Sequence, residues 1–111
     1  MDNKEYNRKY YYNNKNKIRI RANKNQKNIR KRNLSYIISY LQDNPCVDCK
    51  EDDFIVLEFD HITDKEHNIS NMVNSHSLNK IKEEIAKCEV RCANCHRRKT
   101  ANQLGWYKNL D

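Results

Sequence analysis

Apolar positions are sparse along this chain, and where they fall into register they mark a few short elements. Residues 1–33 carry no periodic apolar stripe. Lys, Arg and Asn dominate there, with Tyr6, Tyr10, Tyr11 and Tyr12 interspersed. Asn side chains compete for backbone hydrogen bonds and weaken helices, so this stretch reads as a frayed helix or a disordered arm. The pattern sharpens at Leu34, Ile37, Ile38 and Leu41, spaced i, i+3, i+4 and i+7 as one stripe of a helix. Asn44-Pro45 stops that helix, and Cys46-Val47-Asp48-Cys49 follows as a tight knuckle. The apolar run Phe54 to Phe59, rich in β-branched and aromatic residues, predicts a strand ending at Asp60-His61. Residues 62–76 are polar and predict a loop anchored by Met72-Val73. A helix is expected from Ser77, a suitable N-cap, with Leu78, Ile81 and Ile85 facing the core. Glu89-Val90-Arg91 predicts a second short strand. A last helix runs from around Cys92–Cys95 to about Asn102, with Gly105 just past its end, and Trp106 and Tyr107 are expected to fold back onto the core. No internal repeat is evident. The expected organisation is a basic N-terminal arm over 1–33 and a folded domain over 34–111.

Composition narrows the class. With 111 residues, 37% apolar and 33% charged, the chain has room for one domain of modest core, which a bound metal would help to hold together. The net charge of +7 points to a polyanionic partner. Residues 3–33 hold about half of the Lys and Arg and one acid, Glu5, so the excess charge sits in the arm. No apolar leader is present at the N-terminus and no apolar run spans a membrane. An intracellular, reducing location is therefore expected, where close cysteine pairs read as metal ligands before disulfides.

Two C-x2-C pairs stand out, Cys46/Cys49 and Cys92/Cys95. Together they offer the tetrahedral four-sulfur set that zinc favours. About 42 residues separate the pairs, so a strand, loop and helix must be looped out between them. A clip closing so long a loop contributes strongly to stability. Unligated cysteines or two disulfides are the plainer alternatives. Cys88, four residues before Cys92, reads as a small buried hydrophobe.

Asp60 and His61 directly follow the predicted strand. A carboxylate suits a hard divalent cation, and an imidazole suits proton abstraction from water near neutral pH. His96 follows Cys95 at the start of a helix, where successive side chains diverge by about 100°. Cys95 can thus face zinc while His96 faces the strand end; the plainer alternatives are that His96 replaces a cysteine on zinc or caps the helix. Arg97, Arg98 and Lys99 continue the helix, and Lys99 and Thr100 share a face with His96, suited to a phosphate; a solvated basic face is the plainer reading. His67 and His76 read as solvated, and Glu51, Asp52 and Asp53 as turn residues.

The order Cys46-x2-Cys49, then Leu57-Glu58-Phe59-Asp60-His61, then Lys87-Cys88-Glu89-Val90-Arg91-Cys92-Ala93-Asn94-Cys95-His96 resembles the HNH endonucleases, over about residues 45–103. The resemblance implies an α+β domain of the ββα-metal (His-Me finger) type: a two-stranded hairpin and a helix holding one catalytic divalent ion, beside a structural zinc on the four cysteines. It implies His61 as general base and Asp60 and His96 as ligands of a catalytic Mg2+, Mn2+ or other divalent ion. Hydrolysis of DNA to a 3′-hydroxyl and a 5′-phosphate is the implied reaction. The sequence departs from that family where a middle Asn braces the histidine loop: here the region reads Lys87-Cys88-Glu89, and Asn94 is a poor positional match.

Two functions of different class thus remain: a metal-dependent DNA endonuclease, and a non-catalytic zinc-knuckle module that binds DNA or RNA. A zinc-dependent interaction domain with a merely solubilising arm is a third. DNA is the expected partner, through Arg97, Arg98 and Lys99 and through Arg19, Arg21, Arg30, Lys31 and Arg32 of the arm. No membrane contact is expected.

Overall fold

One helix, α1 (Asn3–Asp43), gives the molecule its length, 77 Å against 33 and 21 Å in the other directions. The computed structural model describes residues 3–108; Met1 and Asp2 of the expected arm, and positions 109–111, lie outside them. The arm is helical rather than irregular over its described part. Its residues are exposed on nearly every side, and burial begins only at Asn33, Ile37 and Leu41. An isolated helix of this composition nucleates poorly; here its last turns are packed against the body of the domain. The 33/34 boundary falls inside the helix. Asn33 is fully buried, and its Nδ2 donates to the carbonyls of Val73 (2.8 Å) and His76 (3.1 Å). Asn44 closes the helix by donating through Nδ2 to the Tyr40 carbonyl at 2.8 Å.

The strand expected over 54–59 is displaced. Phe54–Val56 forms a 3-10 turn, because the Asp53 carboxylate accepts the Ile55 amide at 3.0 Å and this local bond wins over β propensity. The strand β1 is Leu57–His61, so Asp60 and His61 lie within it. It pairs antiparallel with β2 (Cys88–Cys92), Leu57 opposite Cys92 and His61 opposite Cys88. Side chains alternate across a strand. Leu57, Phe59, His61 and Val90 therefore take one face, and Glu58, Asp60, Glu89 and Arg91 the other.

The first face meets the core. Leu57 and Val90 are buried with Ile37 and Leu41 of α1, and the Phe59 ring lies 5.9 Å from that of Tyr40. The polar segment 62–76, expected as loop, contains a single helical turn, α2 (Ile69–Met72), whose Ile69 and Met72, with Val73, are buried. Helix α3 (Leu78–Ile85) starts where expected: Ser77 Oγ accepts the Lys80 amide at 3.3 Å, and Ile81 and Ile85 are buried while Leu78 is half-buried. Helix α4 (Ala93–Leu104) crosses the second, charged face and ends at Gly105, whose φ of 64° is easy for glycine alone. Trp106 and Tyr107 do not return to the core. Both are about half exposed; the Arg97 guanidinium sits over the indole at 5.5 Å, and the Tyr107 hydroxyl donates to Asn102. The result is a small α+β domain of helices around a two-stranded antiparallel sheet, with four cysteines gathered at one end of it. No helix among the described residues is long and apolar enough to cross a membrane.

Candidate functional site

The sulfurs of Cys46, Cys49, Cys92 and Cys95 all lie within 4.8 Å of one another, and Cys49 and Cys92 are 3.7 Å apart. Zn–S bonds of about 2.3 Å in a tetrahedron require edges of about 3.8 Å, so the cluster is the right size for a structural metal such as zinc. The local backbone supports it. The first knuckle turns at Lys50, which holds φ 68° where glycine would be unstrained, and the Lys50 amide donates to the Cys46 carbonyl at 3.0 Å. The second forms at the start of α4, where Cys92 Sγ accepts the Cys95 amide at 3.4 Å. Burial works to raise the Cys46 thiol, but the amides of Cys49, Cys92 and Asp48 bring it down to about 6. The neighbouring Cys92 sulfur, together with burial, pushes Cys95 up to about 12. Thiols so crowded share protons uneasily, and a divalent cation relieves the conflict. Arg98 Nη1 lies 3.9 Å from Cys95 Sγ, a cation beside the sulfur charge. Cys88 stays out of the cluster. Its thiol donates to the Glu84 carbonyl, and burial, with the Glu84 and Asp60 carboxylates, pushes it up to about 11.

On the charged face, Asp60 is buried and its two oxygens are divided. Oδ2 accepts Arg91 Nη1 at 2.7 Å and Lys99 Nζ at 2.6 Å, while Oδ1 lies 3.5 Å from His96 Nε2. Burial raises the Asp60 pKa, but Lys99 first, then His96 and Arg91, hold it below its ordinary value. His96 Nδ1 meets Glu58 Oε2 at 2.7 Å. Arg91 is buried too, and spans Asp48, Asp60 and Glu89. The strand end and the helix start thus bring Asp60 and His96 together, as their positions in the sequence suggest. Cis ligands of an octahedral cation are about 3 Å apart, so Asp60 Oδ1 and His96 Nε2 could hold one between them, with the remaining positions left to water or phosphate.

His61 is not on that face. Its Nε2 lies 2.9 Å from Glu84 Oε1, and its ring is largely buried at the edge of a cavity of about 510 Å³. Arg30, Lys65, Phe59 and Glu58 line the same cavity, so Glu58 borders both His61 and the His96 side. The basic residues have mixed fates. Lys99 binds Asp60, Arg98 faces sulfur, Arg97 stacks on Trp106, and the Thr100 hydroxyl turns back to the His96 carbonyl. Arg30 and Arg32 of the arm dock on the body, to Asn74 Oδ1 and the His76 carbonyl. Arg19, Arg21 and Lys31 are exposed.

Sequence reasoning missed Glu58, Glu84 and Arg91. Each carried a signal: Glu58 is two residues from Asp60 on one strand face, Arg91 lies opposite Glu58, and Glu84 is three residues from Ile81 on the inner side of α3. Compared with models of protein families, with curated proteins and with solved structures, the chain gives no match.

Proposed function

We propose that this protein is a metal-dependent DNA endonuclease of the HNH, ββα-metal kind, with a structural zinc on Cys46, Cys49, Cys92 and Cys95. The observation that carries the reading is the apposition of Asp60 and His96, 3.5 Å apart between hairpin and helix, with the second Asp60 oxygen already held by Arg91 and Lys99. That arrangement leaves one carboxylate oxygen and one imidazole nitrogen for a divalent ion. A Mg2+ or Mn2+ ion there would stabilise charge on the phosphate. His61 is the base: it takes a proton from water, whose oxygen attacks phosphorus as the bond to the 3′ oxygen breaks; that oxygen takes a proton from solvent water and leaves as the 3′-hydroxyl, and the phosphate stays on the 5′ side. The exposed arm cations Arg19, Arg21 and Lys31 hold the DNA backbone.

The test is nicking of supercoiled plasmid across Mg2+ and Mn2+. Asp60→Asn and His61→Ala each keep zinc and fold, and each lowers the rate by at least about a thousandfold. Unchanged nicking in His61→Ala removes it as base. One observation favours a second reading, a zinc-knuckle module that binds nucleic acid without cutting it: the His61 ring turns to Glu84 and not to the Asp60–His96 face. Wild-type protein that binds duplex but nicks nothing with any divalent ion supports that reading.

A further inference from the structure

Glu84 is a glutamate in the interior of a small domain, 3% exposed, on the side of α3 that carries Ile81 and Ile85. Buried carboxylates are rare unless paired. This one is fully engaged. Oε1 receives His61 Nε2 at 2.9 Å and the backbone amides of Glu66 at 3.1 Å and His67 at 3.3 Å, and Oε2 receives Lys87 Nζ at 3.1 Å. Four donors meet this one carboxylate, three at Oε1 and one at Oε2. Three different segments are thereby tied together: the end of β1, the loop after it, and the turn leading into β2.

We propose that Glu84 is the positioning residue for His61, fixing the ring with its proton on Nε2 and fixing the 66–67 backbone beside it. The inference deepens the nuclease reading and rests on it for its kinetic arm alone. The argument is one of hydrogen-bond roles. An ionised carboxylate only accepts, so the His61 nitrogen facing it must donate. In the neutral ring Nδ1 then carries the lone pair, and no hydrogen bond to it is found among the described residues. Burial works against ionisation of Glu84, but Lys87, the two amides and His61 outweigh it and bring its pKa down to about 2. The charge is therefore present throughout the neutral range. A base must present a defined nitrogen in a defined direction, and a partner on the other nitrogen supplies both. This placement also answers the absence of a bracing Asn near residues 87–89: the brace comes from the preceding helix.

Two measurements test it. The first is the 15N spectrum of the His61 ring in the zinc-loaded full chain, at a pH where the ring is neutral. Wild type is expected as the Nε2–H form. Glu84→Ala, which removes the acceptor, is expected to shift the ring toward a mixture. An unchanged Nε2–H signal in folded Glu84→Ala overturns the proposal. The second is a double-mutant cycle on plasmid nicking, with Glu84→Gln as the conservative change, since Gln can still accept from the loop amides. Glu84→Gln is expected to lower kcat roughly tenfold with KM within about twofold, and to cost nothing further when His61 is already Ala. Equal losses in both backgrounds show that Glu84 acts only on the fold, and overturn the proposal. Should Glu84→Ala not fold, the ring spectrum is read on Glu84→Met, which fills the space but offers no oxygen acceptor, with Lys87→Met as the control that leaves the carboxylate in place. An unchanged Nε2–H signal in Glu84→Met overturns the proposal. A wild type that cuts no DNA refutes the nuclease reading, while the ring spectrum still decides the role of Glu84.

Discussion

The two ends of the β hairpin carry opposite kinds of chemistry. At the Leu57–Cys92 end, four sulfurs from two knuckles close on one another, largely buried, with amides aimed at the sulfur. At the Asp60–His61 end, carboxylates, imidazoles and cations lie on both faces of the strand: Asp60, His96, Arg91 and Lys99 meet on one, and His61 stands on the other at the edge of a cavity of about 510 Å³. A four-sulfur site has no position left for a substrate and holds structure; a site with one oxygen and one nitrogen donor, as the nuclease proposal requires, would keep positions free for chemistry. The same two strands serve both ends because the pairing fixes their separation. Anything that loosens the sulfur end must disturb the other, whereas changes at the open end need not travel back.

The largest effect expected from that asymmetry is loss of the sulfur end. Cys46→Ser, or chelation of the wild type, should release zinc and unfold the domain, seen as loss of the cooperative thermal transition by circular dichroism beside a zinc measurement. Binding of a structural zinc is worth on the order of 10 kcal/mol in small domains, which exceeds the stability a core this small supplies alone. A zinc-free variant that still melts cooperatively would break the comparison. Cys88→Ser is the control: with its sulfur outside the cluster, zinc content should stay at the wild-type level.

Next in size is a change confined to the open end. His96→Ala removes the imidazole between Glu58 and Asp60, and should abolish divalent-dependent nicking while zinc content holds and the melting temperature moves by a few degrees. A His96→Ala protein that loses zinc would show that this imidazole supports the sulfur end, and the two ends would no longer be separable.

How far the sequence reached follows the same division. The cysteine pairs were legible because each knuckle is local, two thiolates around one turn. Asp60 and His96 were legible because each adjoins a landmark, a strand end or a cysteine. The direction of His61 was not. Position parity puts Asp60 and His61 on opposite strand faces, but which face meets the charged cleft depends on α4, a long-range fact. Glu84 was hidden for a related reason: in Lys82-Glu83-Glu84-Ile85 it looks like solvated charge, and only tertiary packing reveals the four donors around it. The Phe54–Val56 turn was missed because one Asp53 hydrogen bond outweighed three residues of strand propensity.

A third effect sharpens how the arm relates to the open end. Arg30 and Arg32 dock on the body, whereas Arg19, Arg21 and Lys31 are exposed. The triple change Arg19→Gln, Arg21→Gln and Lys31→Gln should weaken duplex binding roughly tenfold and flatten the slope of log affinity against log salt by about 3, since each phosphate contact contributes about 0.9. Stability and zinc should not change. Arg30→Gln with Arg32→Gln should instead lower the melting temperature by freeing α1 from the 73–76 loop. If both sets act alike on the salt slope, the arm is one uniform electrostatic surface and its docked part has no separate role.

The smallest expected effect concerns acid. Glu84 ionises at about 2 in the folded chain against an ordinary 4.5, and Asp60 is also held below its usual value. A carboxylate whose folded pKa is depressed contributes stability that is fully present above its unfolded pKa and fades as the folded form is protonated. The native state should therefore hold steady down to about pH 4.5 and lose stability between there and about pH 2, as the unfolded chain binds protons that the folded chain refuses. Glu84→Gln should flatten that limb, leaving the part due to Asp60. The zinc end complicates the same window, because thiolates compete with protons for the metal. The comparison between Glu84→Gln and wild type at equal pH cancels that contribution, since both keep all four cysteines. A denaturant titration at pH 3 and pH 6 reads the difference directly: a gap between the two proteins that is the same at both pH values would mean Glu84 is not ionised where it is buried, and the charge assigned to the His61 side of the hairpin would have to be withdrawn.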